Sequence, residues 1–246
     1  MFVGVEKPTG RDSTPTTPSL SSYNFYIIIR LMYIIIIFIL YIMYFDIGSN
    51  IGNWALANIK YCDKIISIEA SPLTFKKLVN NCKNDKIILL NYAVCNNNGN
   101  DITFYQADCD TISTINKDWL TKEYSRFYNH SYNEITCKTI TIDKLIEQYG
   151  IPDFIKIDVE GGEYETIRSL TQKVKLLCFE WASETNSITL NCIDYLFNLG
   201  YTQYYIQNTD EYTFRPEDKD YYDISTIKTK LSATIPKKDW GMIWCK

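Results

Sequence analysis

From residue 42 to the C-terminus, short apolar runs alternate with stretches of helical composition, and most runs close on a polar or glycine-bearing turn. Residues 42–46 (IMYFD) predict a first strand, Gly48 to Gly52 a turn, and residues 51–59 a helix. Residues 64–70 (KIISIEA) form a second strand, and Ser71-Pro72 open the next helix as N-cap and first helical residue. Residues 86–94 read as a third strand, and 101–108 alternate weakly as a further extended piece. Residues 109–133 are polar and Tyr-rich without a period, which predicts a long loop serving as lid or substrate wall. Strands at 134–142, 154–158, 174–182, 201–207 and 240–246 follow, with helices at 143–148, 163–170 and 185–199 among them. Residues 208–238 are charged and aromatic and read as an insertion. Such alternation predicts an α/β fold with a doubly wound, mostly parallel sheet. The domain expected to carry it spans residues 42–246.

Two segments precede that domain. Residues 1–22 are Ser/Thr/Pro-rich without apolar period and predict a disordered tail. Residues 23–41 are almost wholly apolar, Arg30 being their single charge, and are long enough to span a bilayer. Three readings of that segment stay open: a membrane anchor, an apolar element packed on the domain, or a mis-assigned start upstream of the protein proper. A cytoplasmic and a membrane-associated location are therefore both compatible with the sequence.

Composition narrows the chemistry. The 246-residue chain has 25 Lys and Arg against 29 Asp and Glu, so it lacks the basic excess of a nucleic-acid grip. Its eight cysteines show no C-x-x-C spacing and there is a single histidine, His130, so no metal site is expected. His130 lies in the polar loop and reads as an ordinary exposed residue.

Candidate chemistry gathers at strand ends. Asp46, Glu69, Asp158 and Glu180 each close a predicted strand, at the edge where open α/β sheets bind ligands. Gly48 and Gly52 shape the first turn, which lacks the full G-x-G-x-x-G of dinucleotide sites. A carboxylate at 46 would repel a pyrophosphate and attract an ammonium. This favours S-adenosylmethionine, which has a nucleoside, a sulfonium and an amino-acid tail but no phosphate. Glu69 then falls where ribose hydroxyls are bound, although alone it would read as a solvent-facing strand end. Asn50 is suited either to a left-handed backbone or to the cofactor's tail. Asp158 and Glu160 are placed at the reacting methyl, with one of the two taking the acceptor's proton. Glu163 is expected only to favour the start of its helix through the dipole.

Together FDIGSNIG (45–52), ISIEASP (66–72), NYAV (91–94), TITIDKL (139–145) and DFIKIDVEGGE (153–163) resemble the FkbM family of S-adenosylmethionine-dependent methyltransferases, over roughly residues 42–182. The resemblance implies a Rossmann-like sheet with a reversed final strand, and methylation of a hydroxyl on a sugar, glycolipid or similar small molecule. It also implies that Asp46, Gly48, Asn50 and Gly52 line the methionine part of the cofactor and Glu69 its ribose, while Asp158 and Glu160 face methyl and acceptor. The Ile-rich run departs from a soluble lead, and residues beyond 183 add nothing to the likeness. Two rival expectations remain: another Rossmann enzyme, such as an oxidoreductase, or a membrane-tethered scaffold without activity. The implied partner is a small-molecule or glycan acceptor, not nucleic acid, with a membrane reached only through residues 23–41.

Overall fold

A computed structural model describes residue 24, residues 27–32 and residues 41–246. The chain divides into two compact units, Met1–Tyr41 and Ile42–Lys246. Of the first, residues 27–32 are helical and exposed, and the expectations for residues 1–22 and most of 23–41 lie outside the described residues. Among the described residues no helix is long and apolar enough to cross a membrane.

The second unit is built on a seven-stranded sheet. Its strands are β1 (Met43–Ile47), β2 (Lys64–Ile68), β3 (Ile87–Leu90), β7 (Phe154–Ile157), β8 (Leu176–Ala182), β9 (Tyr204–Gln207) and β10 (Trp240–Cys245). A smaller sheet contains β4 (Ala93–Val94), β5 (Asp101–Ala107) and β6 (Tyr132–Ile140). The large sheet runs β3-β2-β1-β7-β8-β10-β9 and the small one β4-β6-β5. β1, β2, β3, β7 and β8 are parallel, whereas β10 runs antiparallel to both β8 and β9. This is a Rossmann-like sheet with a reversed final strand. Order reverses between β1 and β7, so their carboxyl ends open a crevice at the switch point.

Strand composition explains the layers. Neighbouring residues of β2 and β7 point to opposite faces, and both faces are covered, so the runs are mostly apolar, with Ser67 and Lys156 as buried polar exceptions. Phe45, Ile66, Ile155 and Phe179 build one core with Ile193 and Leu196 of a helix at Asn186–Asn198. Ile65, Phe154 and Trp244 build the other, with Trp54 and Leu78. Phe154 and Trp244 stack at 5.2 Å and 9°.

Several boundaries differ from the sequence reading. The single strand expected at 86–94 is broken, and β4 leaves the large sheet to pair with β6. Asn91, between the two pieces, donates its side-chain amide to the carbonyls of Glu69 and Ala70, which ties the break to the end of β2. The polar stretch 109–133 carries a helical turn at Asp118–Thr121 and the start of β6. It is pinned by Arg126, whose Nε and Nη2 reach Glu184 at 2.5 and 2.7 Å. That paired geometry makes it a fixed wall. The expected insertion 208–238 holds a helix at Ile224–Ser232, capped by Asp223.

The first helix, α1 (Asn53–Asn58), starts after Gly52, whose φ is 90°. A Cβ at Gly52 would come within 2.3 Å of Cys82 Sγ and 2.7 Å of Leu78 Cδ1, beside α2 (Pro72–Asn81). Gly52→Ala is therefore expected to destabilise the protein by about 1–3 kcal/mol from backbone strain alone, read as a lower urea midpoint. An unchanged midpoint would show that the two helices do not meet there.

Candidate active site

The turns that follow β1, β2 and β7 meet over a cavity of about 370 Å³. That is a normal size for a small-molecule site. Gly48, Asn50, Glu69, Asp158, Glu160 and Glu180 all line it. Asp46 and Gly52 are not among the lining residues. Asp46 is fully buried within β1, and Gly52 faces α2. The structure thus brings five of the seven expected site residues to one wall and sets two behind it.

The first turn is shaped by close approach. Gly48 has φ 78°, and a Cβ there would stand 1.7 Å from the carbonyl oxygen of Asp158. Glycine is what lets the β1 and β7 turns touch. Asn50 adopts a left-handed φ of 48°. Its backbone N–H donates to Glu69 Oε2 at 3.0 Å, and its side-chain amide to the Asp110 carbonyl at 3.2 Å. Glu69 Oε1 also accepts the Ser71 N–H at 2.8 Å. Burial pushes the Glu69 carboxyl up to about 7, against the lowering effect of those two backbone donors.

The cavity lining includes an ion pair absent from the sequence reading. Lys156 stands opposite Asp46 in the β1–β7 register and is buried. Its ammonium lies 3.0 Å from Asp158 Oδ2 and 3.8 Å from Asp46 Oδ1, and donates to the Gly48 carbonyl at 3.4 Å. Burial alone would lower the lysine's pKa, but Asp158, Asp46 and Asp210 outweigh it, so the lysine is held charged. Asp46 is pushed up to about 6 by burial, with Lys156 opposing. At 3.8 Å the ammonium is too distant for a hydrogen bond, and Asp46 Oδ1 is a buried acceptor without a donor.

Across from Lys156 the acids converge. One carboxylate oxygen from each of Asp158, Glu160 and Glu180 lies within 4.8 Å of the others. Although no metal is expected from the sequence, three oxygen donors at this spacing are a set that can hold a hard divalent cation. Glu160 adopts a left-handed φ of 56°, rare for a residue with a side chain. Its Oε2 accepts the Trp119 indole N–H at 3.2 Å. Burial, with Asp158 and Glu163 adding repulsion, pushes its carboxyl well above the usual range. Glu180 is raised likewise by burial and by Glu160. Its strand continues to Ala182, so it lies inside β8, not at its end. Glu163 does more than favour a helix start: it is buried, and its Oε1 accepts the N–H groups of Val159 and Gly161 at 3.2 Å each, fixing the turn that carries Glu160.

The outer wall comes from segments that the sequence did not mark as functional. Asp210 and Tyr212 reach the cavity from the stretch after β9. Arg215 holds that stretch, lying 4.9 Å over Phe154 and 5.2 Å over Trp244 while its Nη2 donates to Asn58 Oδ1 at 2.7 Å. His130 is 3.8 Å from Asp108 in the fixed wall and is not among the cavity's residues.

A family model described as a methyltransferase FkbM domain matches residues 46–202. The chain belongs to the FkbM methyltransferase family. S-adenosylmethionine is its cofactor, and the wall fits that group: close-approach glycine backbone, a buried acid at the end of β2, and apolar Ile68, Val94 and Phe104. Hexuronic acid methyltransferase AglP of Haloferax volcanii is 29% identical to this FkbM chain over 140 residues, 55% of this chain and 52% of that one. The chain thus spans about half the length of that curated relative. A precorrin-6y C5,15-methyltransferase from Geobacter metallireducens superposes with TM-score 0.42 at 10% identity, covering 83% of this chain and 78% of that one. A SAM-dependent methyltransferase from Archaeoglobus fulgidus gives 0.38 at 12%, covering 90% and 93%. The FkbM chain's own strand order, and not these loose superpositions, establishes its fold.

The buried acids make the ligand-free protein pH-sensitive. Asp46 at about 6, and Glu69 and Glu163 at about 7, lie above ordinary carboxyl values. The folded state therefore binds more protons than the unfolded chain between these values and about pH 4. Their contribution to stability is complete below that range and is lost as pH rises through 6 to 7. Calorimetric melting of the apo protein is expected to give a lower Tm at about pH 8 than at about pH 5.5, by several degrees. A higher Tm at the alkaline end would show that these carboxyls are solvated or otherwise compensated.

Proposed function

We propose that this chain transfers a methyl group from S-adenosylmethionine to a hydroxyl of a sugar, glycolipid or similar small molecule, with Glu160 taking the acceptor's proton. The observation that carries the reading is the contrast between Asp158 and Glu160. Asp158 is tied to the Lys156 ammonium, which donates to its Oδ2 at 3.0 Å. Glu160 has no basic partner within salt-bridge distance among the described residues, lines the cavity and holds a strained backbone. Strain of this kind costs about 1–3 kcal/mol and persists where surrounding structure over-determines it. Here the Trp119 N–H and the Glu163-braced turn supply that support.

The bound cofactor supplies an electrophilic methyl on a sulfonium. The protein must bring the acceptor oxygen to about 3 Å from that carbon, in line with it. Glu69 is assigned to the ribose, since each of its oxygens keeps a lone pair beyond the one taken by Asn50 or Ser71. Gly48 and Asn50 are assigned to the methionine part as members of the first turn, which lines the cavity. Asp46 acts through Lys156, and Gly52 through helix packing. A carboxyl raised above its usual range is poised to accept a proton near neutral pH. The relative named for hexuronic acid supports a sugar acceptor.

The reading is tested by Glu160→Gln with radiolabelled S-adenosylmethionine and a sugar panel. Turnover is expected to fall by about 10²–10⁴-fold while calorimetry shows cofactor binding within a few-fold of wild type. In the wild type, kcat should rise with pH through an apparent pKa above the usual carboxyl range, since Glu160 must be ionised to act. Near-normal turnover by the variant would move the proton acceptor elsewhere.

A further inference from the structure

We infer that the acceptor carries no carboxylate: the cavity takes a neutral or amine-bearing sugar in preference to a uronate. The inference rests on the methyl-transfer reading above and names the charge class of its substrate. Among the described residues lining the cavity, Glu160, Glu180 and Asp210 have no basic partner within salt-bridge distance. Lys156 is the sole lysine or arginine in that wall, and its ammonium is already engaged by Asp158, Asp46 and the Gly48 carbonyl. Arg126 and Arg215 are committed to Glu184 and to Asn58 with the Phe154–Trp244 stack, and Lys77 is held at 2.6 Å by Asp110 of the cavity lining. Sites for carboxylates ordinarily present a free guanidinium fork. This one presents unpaired acids in a partly desolvated space, and in the ionised form that proton acceptance requires of Glu160 they repel a further anion.

A second feature points the same way. Trp240 and Tyr92, 39% and 36% exposed, bring aromatic surface to the same wall. Such faces accept sugar rings and attract cations. An ammonium on the acceptor would find Glu160 and Glu180 close together, one carboxylate oxygen of each lying within 4.8 Å of the other.

The test compares three matched acceptors on the full chain with S-adenosylmethionine: methyl glucopyranoside, its 6-carboxylate, and its 2-amino analogue. The neutral and amino sugars are expected to exceed the uronate at least tenfold in kcat/KM, about 1.4 kcal/mol. Asp210→Asn should narrow that gap several-fold by improving the uronate alone. Equal or preferred turnover of the uronate, with or without added Mg²⁺, overturns the inference, the magnesium arm covering a cation bridged by the three carboxylates. If none of the three is methylated while calorimetry shows cofactor binding, the sugar-acceptor reading itself fails and the inference falls with it.

Discussion

A buried ammonium between two carboxylates decides how this sheet can open into a site. Lys156 joins Asp46 of β1 to Asp158 after β7, across the point where strand order reverses. Isolated in the interior, either charge would cost several kcal/mol. Together they form one ion-paired cluster that also draws in the Gly48 carbonyl, so the turn and the sheet are tied into one piece. The close approach of Gly48 to Asp158 then follows, because no side chain stands between the two turns.

Everything nearer the ligand is arranged around that support. Asp158 is paired with Lys156, which leaves Glu160 and Glu180 to face the cavity and each other without a basic partner among the described residues. Their repulsion is contained by Trp119 on one side and by the Glu163-braced turn on the other. The Arg126–Glu184 pair anchors the wall that carries Trp119. The Arg215 stack anchors the opposite wall, with Asp210 and Tyr212. Fixed walls and preformed charge suit a displacement reaction, where the protein's task is alignment.

Much of this was legible in the sequence, and the exceptions have physical reasons. Parallel strands buried on both faces leave predominantly apolar runs, so β1, β2, β7 and β8 could be read directly, and the acids at or near their ends marked the cavity rim. Lys156 was missed because one charge in FIKID reads as a strand blemish until β1 is laid beside it and Asp46 falls opposite. Asp46 and Gly52 were expected against the ligand, but a linear motif cannot show which of its residues face the turn's interior. Asp210, Tyr212 and Trp119 sit in segments without period, and only long-range pairs such as Arg126–Glu184 bring such segments to a site. Glu163 looked like a helix-dipole acid because its accepted bonds run backwards, to Val159 and Gly161.

The most direct test of this account is the stability of Lys156→Met measured by urea unfolding at two pH values. Removing one partner of a buried pair costs about 3–5 kcal/mol when the remaining charge is stranded. That loss is expected at about pH 8, where Asp46 is ionised, and it should shrink well below pH 6, where the Asp46 carboxyl is protonated and needs no partner. A loss under about 1 kcal/mol, the range of exposed pairs, or one that does not change with pH, would contradict the central role given to the buried ammonium.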